Sequence, residues 1–155
     1  MSHFTVLVIT DGDYGDALAP FDEDLEDVEN PKWDWYALGG RWMGSLVLKA
    51  PSPTASLGEP GVFDNTAPND GLHVDAAQAG DIDWEATAKE FWGSTQKALT
   101  WAMITLEGRW LQKGEMGWWG MSDPEKASED YDHVWWGVVR NLAPEQMVYL
   151  VDCHI

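Results

Sequence analysis

The chain opens on an unbroken apolar run. Residues 4–9, Phe4-Thr5-Val6-Leu7-Val8-Ile9, are rich in β-branched side chains and predict a buried strand. Residues 11–30 hold nine acids and no base, with Gly12, Gly15 and Pro20 among them. That pattern predicts a surface loop or a weak helix. Residues 33–36 lead into Gly39-Gly40, a turn signal. Over 41–49 the pattern alternates, with Trp42, Leu46 and Leu48 on one side and Met43, Ser45 and Val47 on the other, so a strand is expected. Residues 51–80 are rich in Pro, Gly, Ala and Asp without strong periodicity and read as a long loop.

Helical signals dominate the second half. Residues 83–99 contain many good helix formers, although Gly93 weakens the middle. Asp81, Asp83 and Glu85 suit the positive end of that helix. Residues 100–106 read as a strand, Glu107-Gly108 as a tight turn and 109–112 as the returning strand of a hairpin. Ser122-Asp123-Pro124-Glu125 fits a capping box that opens a helix to about residue 141. Its apolar stripe is Tyr131, Val134, Trp135, Val138 and Leu142. Pro144 ends the connection, and 147–154 form the last strand. The order β, β, α, β, β, α, β predicts an α+β fold, a mostly antiparallel sheet with two helices on one face. Its finer form is expected to be a ferredoxin-like core with an added N-terminal strand. A length of 155 residues fits a single domain spanning 1–155.

Charge changes this picture. Acids number 27 and bases 9, for a net charge of −18. Such a chain repels a phosphate backbone and an anionic membrane, so neither direct nucleic-acid binding nor membrane association is expected. It favours a basic protein partner, with the acidic segment 11–30 as a candidate mimic of nucleic acid. The single cysteine, Cys153, excludes an intrachain disulfide. The first residues lack the basic region and cleavage site of a signal peptide, and no apolar run is long enough to span a bilayer. The expected location is therefore the cytoplasm.

Two candidate sites emerge. Strand alternation puts His3 on one face of the first strand and Asp152 with His154 on one face of the last. If the two strands pair antiparallel, His3, Asp152 and His154 meet as possible ligands of a divalent metal. The tripeptide His3-Phe4-Thr5 lacks the second H-x-[ST] that two-histidine phosphoesterases need. Asp11-Gly12-Asp13 lacks the later ligands of a calcium loop. The second site draws on the eleven tryptophans. Trp33, Trp35, Tyr36, Arg41 and Trp42, with Trp118 and Trp119 and the second Gly-Arg-Trp at Arg109, suit a planar ligand stacked on rings and forked by arginine. Glu115 is the candidate acid or base.

The blocks Met1-Ser2-His3-Phe4-Thr5-Val6-Leu7-Val8-Ile9, Trp33-Asp34-Trp35-Tyr36 with Gly39-Gly40-Arg41-Trp42, Gly114-Glu115-Met116-Gly117-Trp118-Trp119-Gly120 and Asp152-Cys153-His154-Ile155 resemble a group of bacteriophage and prophage accessory proteins. The resemblance brings no catalytic residue with it. It implies a protein made in the cytoplasm of a bacterial host, one that acts on host defence or metabolism. The expected function is binding rather than catalysis. A host factor with a basic surface, or a small signal molecule, is held by the acidic surface or by the Trp/Arg pocket. The alternative is a hydrolase of a nucleotide-like molecule that uses a divalent metal at His3, Asp152 and His154 with Glu115 as base; the binding reading needs no cofactor.

Overall fold

A computed structural model describes residues 2–24, 31–59, 67–68, 70–113 and 124–155, with the backbone alone at 124–128. The strands are β1 (His3–Ile9), β2 (Trp35–Leu38), β3 (Leu46–Val47), β4 (His73–Val74), β5 (Ala76–Gln78), β6 (Ala102–Ile104), β7 (Trp110–Gln112) and β8 (Met147–His154). The helices are α1 (Tyr14–Leu18), α2 (Trp84–Trp92) and α3 (Pro124–Arg140). The main sheet runs β2-β8-β1-β6-β7, with β5 also paired to β8. Every pairing in it is antiparallel except β1 with β6. The fold is thus α+β with a mostly antiparallel sheet. Leu48 and Ile82 form an isolated bridge, and β3 and β4 form a separate two-stranded sheet.

The apolar runs are continuous because both faces of the sheet are covered. Leu7, Ile9, Met103, Val148 and Leu150 pack with Ala88 of α2 and with Tyr131, Trp135 and Val139 of α3. Val6, Val8, Ala102, Ile104, Val151 and Cys153 pack with Leu18 of α1 and with Trp33. Two helices share one face, as expected, and the short α1 lies on the other. Asp13 caps α1 by accepting from the N–H groups of Gly15 and Asp16.

The strand order departs from the expected ferredoxin-like core with an added N-terminal strand. β1 is not an addition at the edge; it lies between β8 and β6. Segment 41–49 supplies no strand to the main sheet. Gly39, Gly40 and Gly44 all have positive φ, which coils 40–42 into a 3-10 turn and leaves only Leu46–Val47 extended. Within the expected loop, β4 and β5 form short pairings instead. The helix expected over 83–99 stops at Trp92, because Gly93 adopts the left-handed C-cap and its N–H returns to the Lys89 carbonyl. The 97–100 segment is then pinned to α3. Trp136 Nε1 donates to the Lys97 carbonyl, Asp132 accepts from the Ala98 N–H, and Tyr131 Oη and Trp135 Nε1 donate to Thr100. The capping residues Ser122 and Asp123 lie outside the described residues.

His73, in β4, ties that strand to α2. Its Nδ1 lies 2.8 Å from Asp70 and its Nε2 2.9 Å from Glu90. Burial pulls its pKa down, but the hydrogen bonds and charges of Glu90 and Asp70 outweigh burial and raise it above the ordinary 6.5. A histidine raised in the folded state contributes stability that is complete below about pH 6.5 and is lost as pH climbs through the higher folded value. Urea midpoints of the parent and His73→Gln, compared from about pH 5.5 to 8.5, should differ most at the acid end, with the gap closing upward. A gap that widens with pH rejects this tie.

Candidate functional site

The site grows from one end of the main sheet. Ser2 and Ile155 exchange both backbone hydrogen bonds, so the next pair, His3 and His154, is a non-hydrogen-bonded pair with its side chains close together. Trp35 of β2 is level with His154 on its other side. The two imidazole centroids are 4.9 Å apart at 65°, and the Trp35 ring packs edge-on to His3 at 5.7 Å. Two residue pairs further in, Asp152 stands level with Thr5 and Ala37 on the same face.

Asp152 is fully buried, and both of its oxygens are engaged. Oδ1 is 2.8 Å from His3 Nδ1, and Oδ2 accepts from the Arg41 N–H at 3.0 Å. His154 is held in the same manner, its Nδ1 2.7 Å from Asp34 Oδ1. The histidines and Asp152 expected to meet therefore do meet. Asp152 faces the histidine and a backbone amide rather than a shared centre. Among the described residues no group of three or more His, Cys, Asp or Glu is placed to hold a metal ion.

A second buried carboxylate completes the frame. Asp75, between β4 and β5, is fully buried and accepts from the N–H groups of Gly44 at 2.6 Å and Gly58 at 2.7 Å. Burial raises its pKa, and those two N–H groups oppose the rise. Gly39 and Gly40 thread between the two acids. A Cβ on Gly39 would lie 2.4 Å from Asp75 Oδ2, and a Cβ on Gly40 would lie 2.4 Å from Asp152 Oδ2. The turn is glycine because carboxylates occupy the space of both side chains, and because φ is +73° and +51°.

Beside His3, on the helical side, lies a hollow of about 210 Å³. Its walls are Trp42, Phe91, Trp92 and Trp101, and its polar groups include His3 and Lys113. Trp92 and Trp101 are 48% and 38% exposed, so they form a rim rather than core. A second hollow of about 380 Å³ shares His3, Phe4 and Trp101 and adds Lys32 and Gln112. No Asp or Glu lines either hollow among the described residues. Thr5 Oγ1 fixes the junction by accepting from the Trp101 N–H, and the Lys113 N–H donates to the Trp101 carbonyl.

The expected Trp/Arg site is thus divided. Trp42 lines the hollow, Trp35 stands at the histidine rim, and Arg41 holds Asp152 through its backbone. Trp33 and Tyr36 are on the opposite face. Trp33 is buried, donates from Nε1 to the Leu18 carbonyl and packs edge-on to Tyr36 at 4.9 Å. Arg109 lies in the β6–β7 turn, beyond the level of Val8 and away from His3. Glu115, Trp118 and Trp119 lie outside the described residues. Cys153 is buried on the Trp33 face, and burial together with the Asp152 charge pushes its thiol pKa far up, which leaves it inert. Asp75, Phe91, Trp92 and Trp101 were not foreseen as site residues. The available signal for Asp75 was a lone acid among apolar neighbours in His73-Val74-Asp75-Ala76-Ala77.

Compared with protein-family models, curated proteins and solved structures, the chain matches none. No helix among the described residues is long and apolar enough to cross a membrane.

Two substitutions test the carboxylate frame. Asp75→Asn turns an amide NH₂ toward a glycine N–H, so one donor faces another in a buried place. Equilibrium unfolding in urea should show a loss of about 1–3 kcal/mol. An unchanged midpoint would mean that the two N–H bonds do not hold Asp75. Gly40→Ala must both adopt positive φ and displace Asp152, and should lose more than about 2 kcal/mol. A loss no larger than that of a surface substitution removes the claimed close approach.

Proposed function

We propose that the protein is a binding protein of the phage accessory type that holds a planar, anionic small molecule in the hollow beside His3. The observation that carries this reading is the composition of the hollow. Four aromatic walls offer faces and edges to a flat ligand. Lys113 supplies an ammonium donor and His3 a ring edge, and no acid among the described residues lines the hollow, in a chain of charge −18. A lysine ammonium in such a setting selects an anion that the remaining surface repels. By capturing a signal molecule, such a protein would blunt a bacterial host defence from within the cytoplasm.

The test is calorimetry on tag-free protein with nucleoside monophosphates and aromatic carboxylates, at low and high salt. Binding of at least one class is expected. Trp101→Ala should weaken it about tenfold or more, in line with the loss of one stacking partner. Lys113→Ala should weaken it and flatten its salt dependence. If no planar anion binds and the protein instead captures basic host proteins in a salt-sensitive manner, the acidic surface is the working part and the pocket reading fails.

A further inference from the structure

We infer that His3 and His154 together bind one divalent transition metal ion of the zinc, nickel or copper class, with Asp152 and Asp34 orienting the two imidazoles from behind. Three observations meet in this inference, and none of them depends on the ligand proposed for the hollow.

The first is spacing. A metal lies about 2.0–2.1 Å from a ligating imidazole nitrogen, which puts two ring centres on one ion roughly 4.5 Å apart at a right-angled site and roughly 5.2 Å apart at a tetrahedral one. The His3 and His154 centroids are 4.9 Å apart. The antiparallel register fixes this, since the two residues face each other across a non-hydrogen-bonded pair.

The second is tautomer. Both rings direct Nδ1 at a carboxylate, at 2.8 Å and 2.7 Å. A carboxylate accepts only, so each Nδ1 carries a hydrogen, and in the neutral ring Nε2 is the nitrogen left to offer a lone pair to a metal. Histidine ligands in metal sites are oriented in this way, by a carboxylate on the far nitrogen.

The third is the state of Asp152. Fully buried, with one oxygen on His3 and the other on the Arg41 N–H, it serves the histidine and not the ion. Among the described residues two imidazoles are then the protein's share of the coordination, and water or an anion would take the other positions. His3 also lines the aromatic hollow, so those positions adjoin it. Imidazole ligands favour zinc, nickel or copper over magnesium and calcium, which take oxygen.

The experiment is a calorimetric titration of tag-free protein with zinc or nickel in a large excess of magnesium, which occupies the many surface carboxylates. One equivalent should bind and should raise the thermal midpoint. His3→Ala and His154→Ala should each abolish both effects. His154, at the sheet rim, is the variant expected to keep its fold if His3→Ala does not. Asp34→Asn should weaken binding about 10–100-fold without removing it. Nitrogen NMR of the metal-free protein at alkaline pH should show the neutral His154 ring as its Nδ1–H tautomer, and Asp34→Asn should shift that balance. No saturable binding under magnesium, or binding of the same strength in a folded His154→Ala, overturns the inference.

Discussion

The centre of this protein is organised by two carboxylates taken out of water. Burying a carboxylate is costly unless its oxygens receive hydrogen bonds, and here backbone amides supply most of them. Gly44 and Gly58 donate to Asp75, and Arg41 donates to Asp152. These bonds join segments far apart in sequence, so each acid acts as a nail through several loops. The discontinuity on β8 is the reason such nails are needed. β2 covers one stretch of that strand and β5 the other, and they meet at Leu150. There the Gly39 N–H donates to the Leu150 carbonyl, and the Leu150 N–H donates to the Asp75 carbonyl.

The frame also decides how the histidine rim is built. Asp152 has an oxygen for His3 because Gly40, lacking a Cβ, lets the chain pass close enough for the Arg41 amide to take the other oxygen. The same turn starts the 3-10 segment that carries Trp42 to the hollow. A single Gly-Gly step thus helps to orient an imidazole and places an aromatic wall. Rigidity at this point has functional weight, because a binding or metal site depends on geometry held to a fraction of an ångström.

Much of the sheet was legible in the sequence, and the reason is physical. β1 and β8 are long, apolar and β-branched, so their type and extent follow from burial alone, and their pairing brings His3 to His154. The 107–108 turn and the start of α3 were equally readable. Segment 41–49 misled because alternation of apolar and polar positions was outweighed by positive φ at Gly40 and Gly44. β4 and β5 escaped notice since two or three residues carry no periodicity, and they exist only through partners distant in sequence. The tryptophan cluster was legible as an excess but not as a location. Neighbours in the chain at Trp33, Trp35 and Tyr36 divide between two faces of the sheet, whereas Trp101 and Phe91 reach the hollow from elements remote from them.

The tryptophans also bear on how so acidic a chain can keep a hollow that no Asp or Glu lines among the described residues. Trp33, Trp135 and Trp136 are buried in the two cores and fill volume there. Trp35, Trp92 and Trp101 remain partly exposed and gather around His3, together with Lys113. Aromatic rim residues exclude water, and exclusion of water lowers the local dielectric response. The Lys113 ammonium is then felt more strongly across a short distance. The surrounding negative charge is long-ranged and screened by salt over about 10 Å at 0.1 M. Near the His3 rim the short-range terms therefore decide what binds, while the overall field decides what approaches. On the function proposed here, an anion has to arrive against that field, so its recognition would depend on ring stacking and direct contacts rather than on attraction from afar. That division favours a ligand which is flat and compact over one which is merely charged.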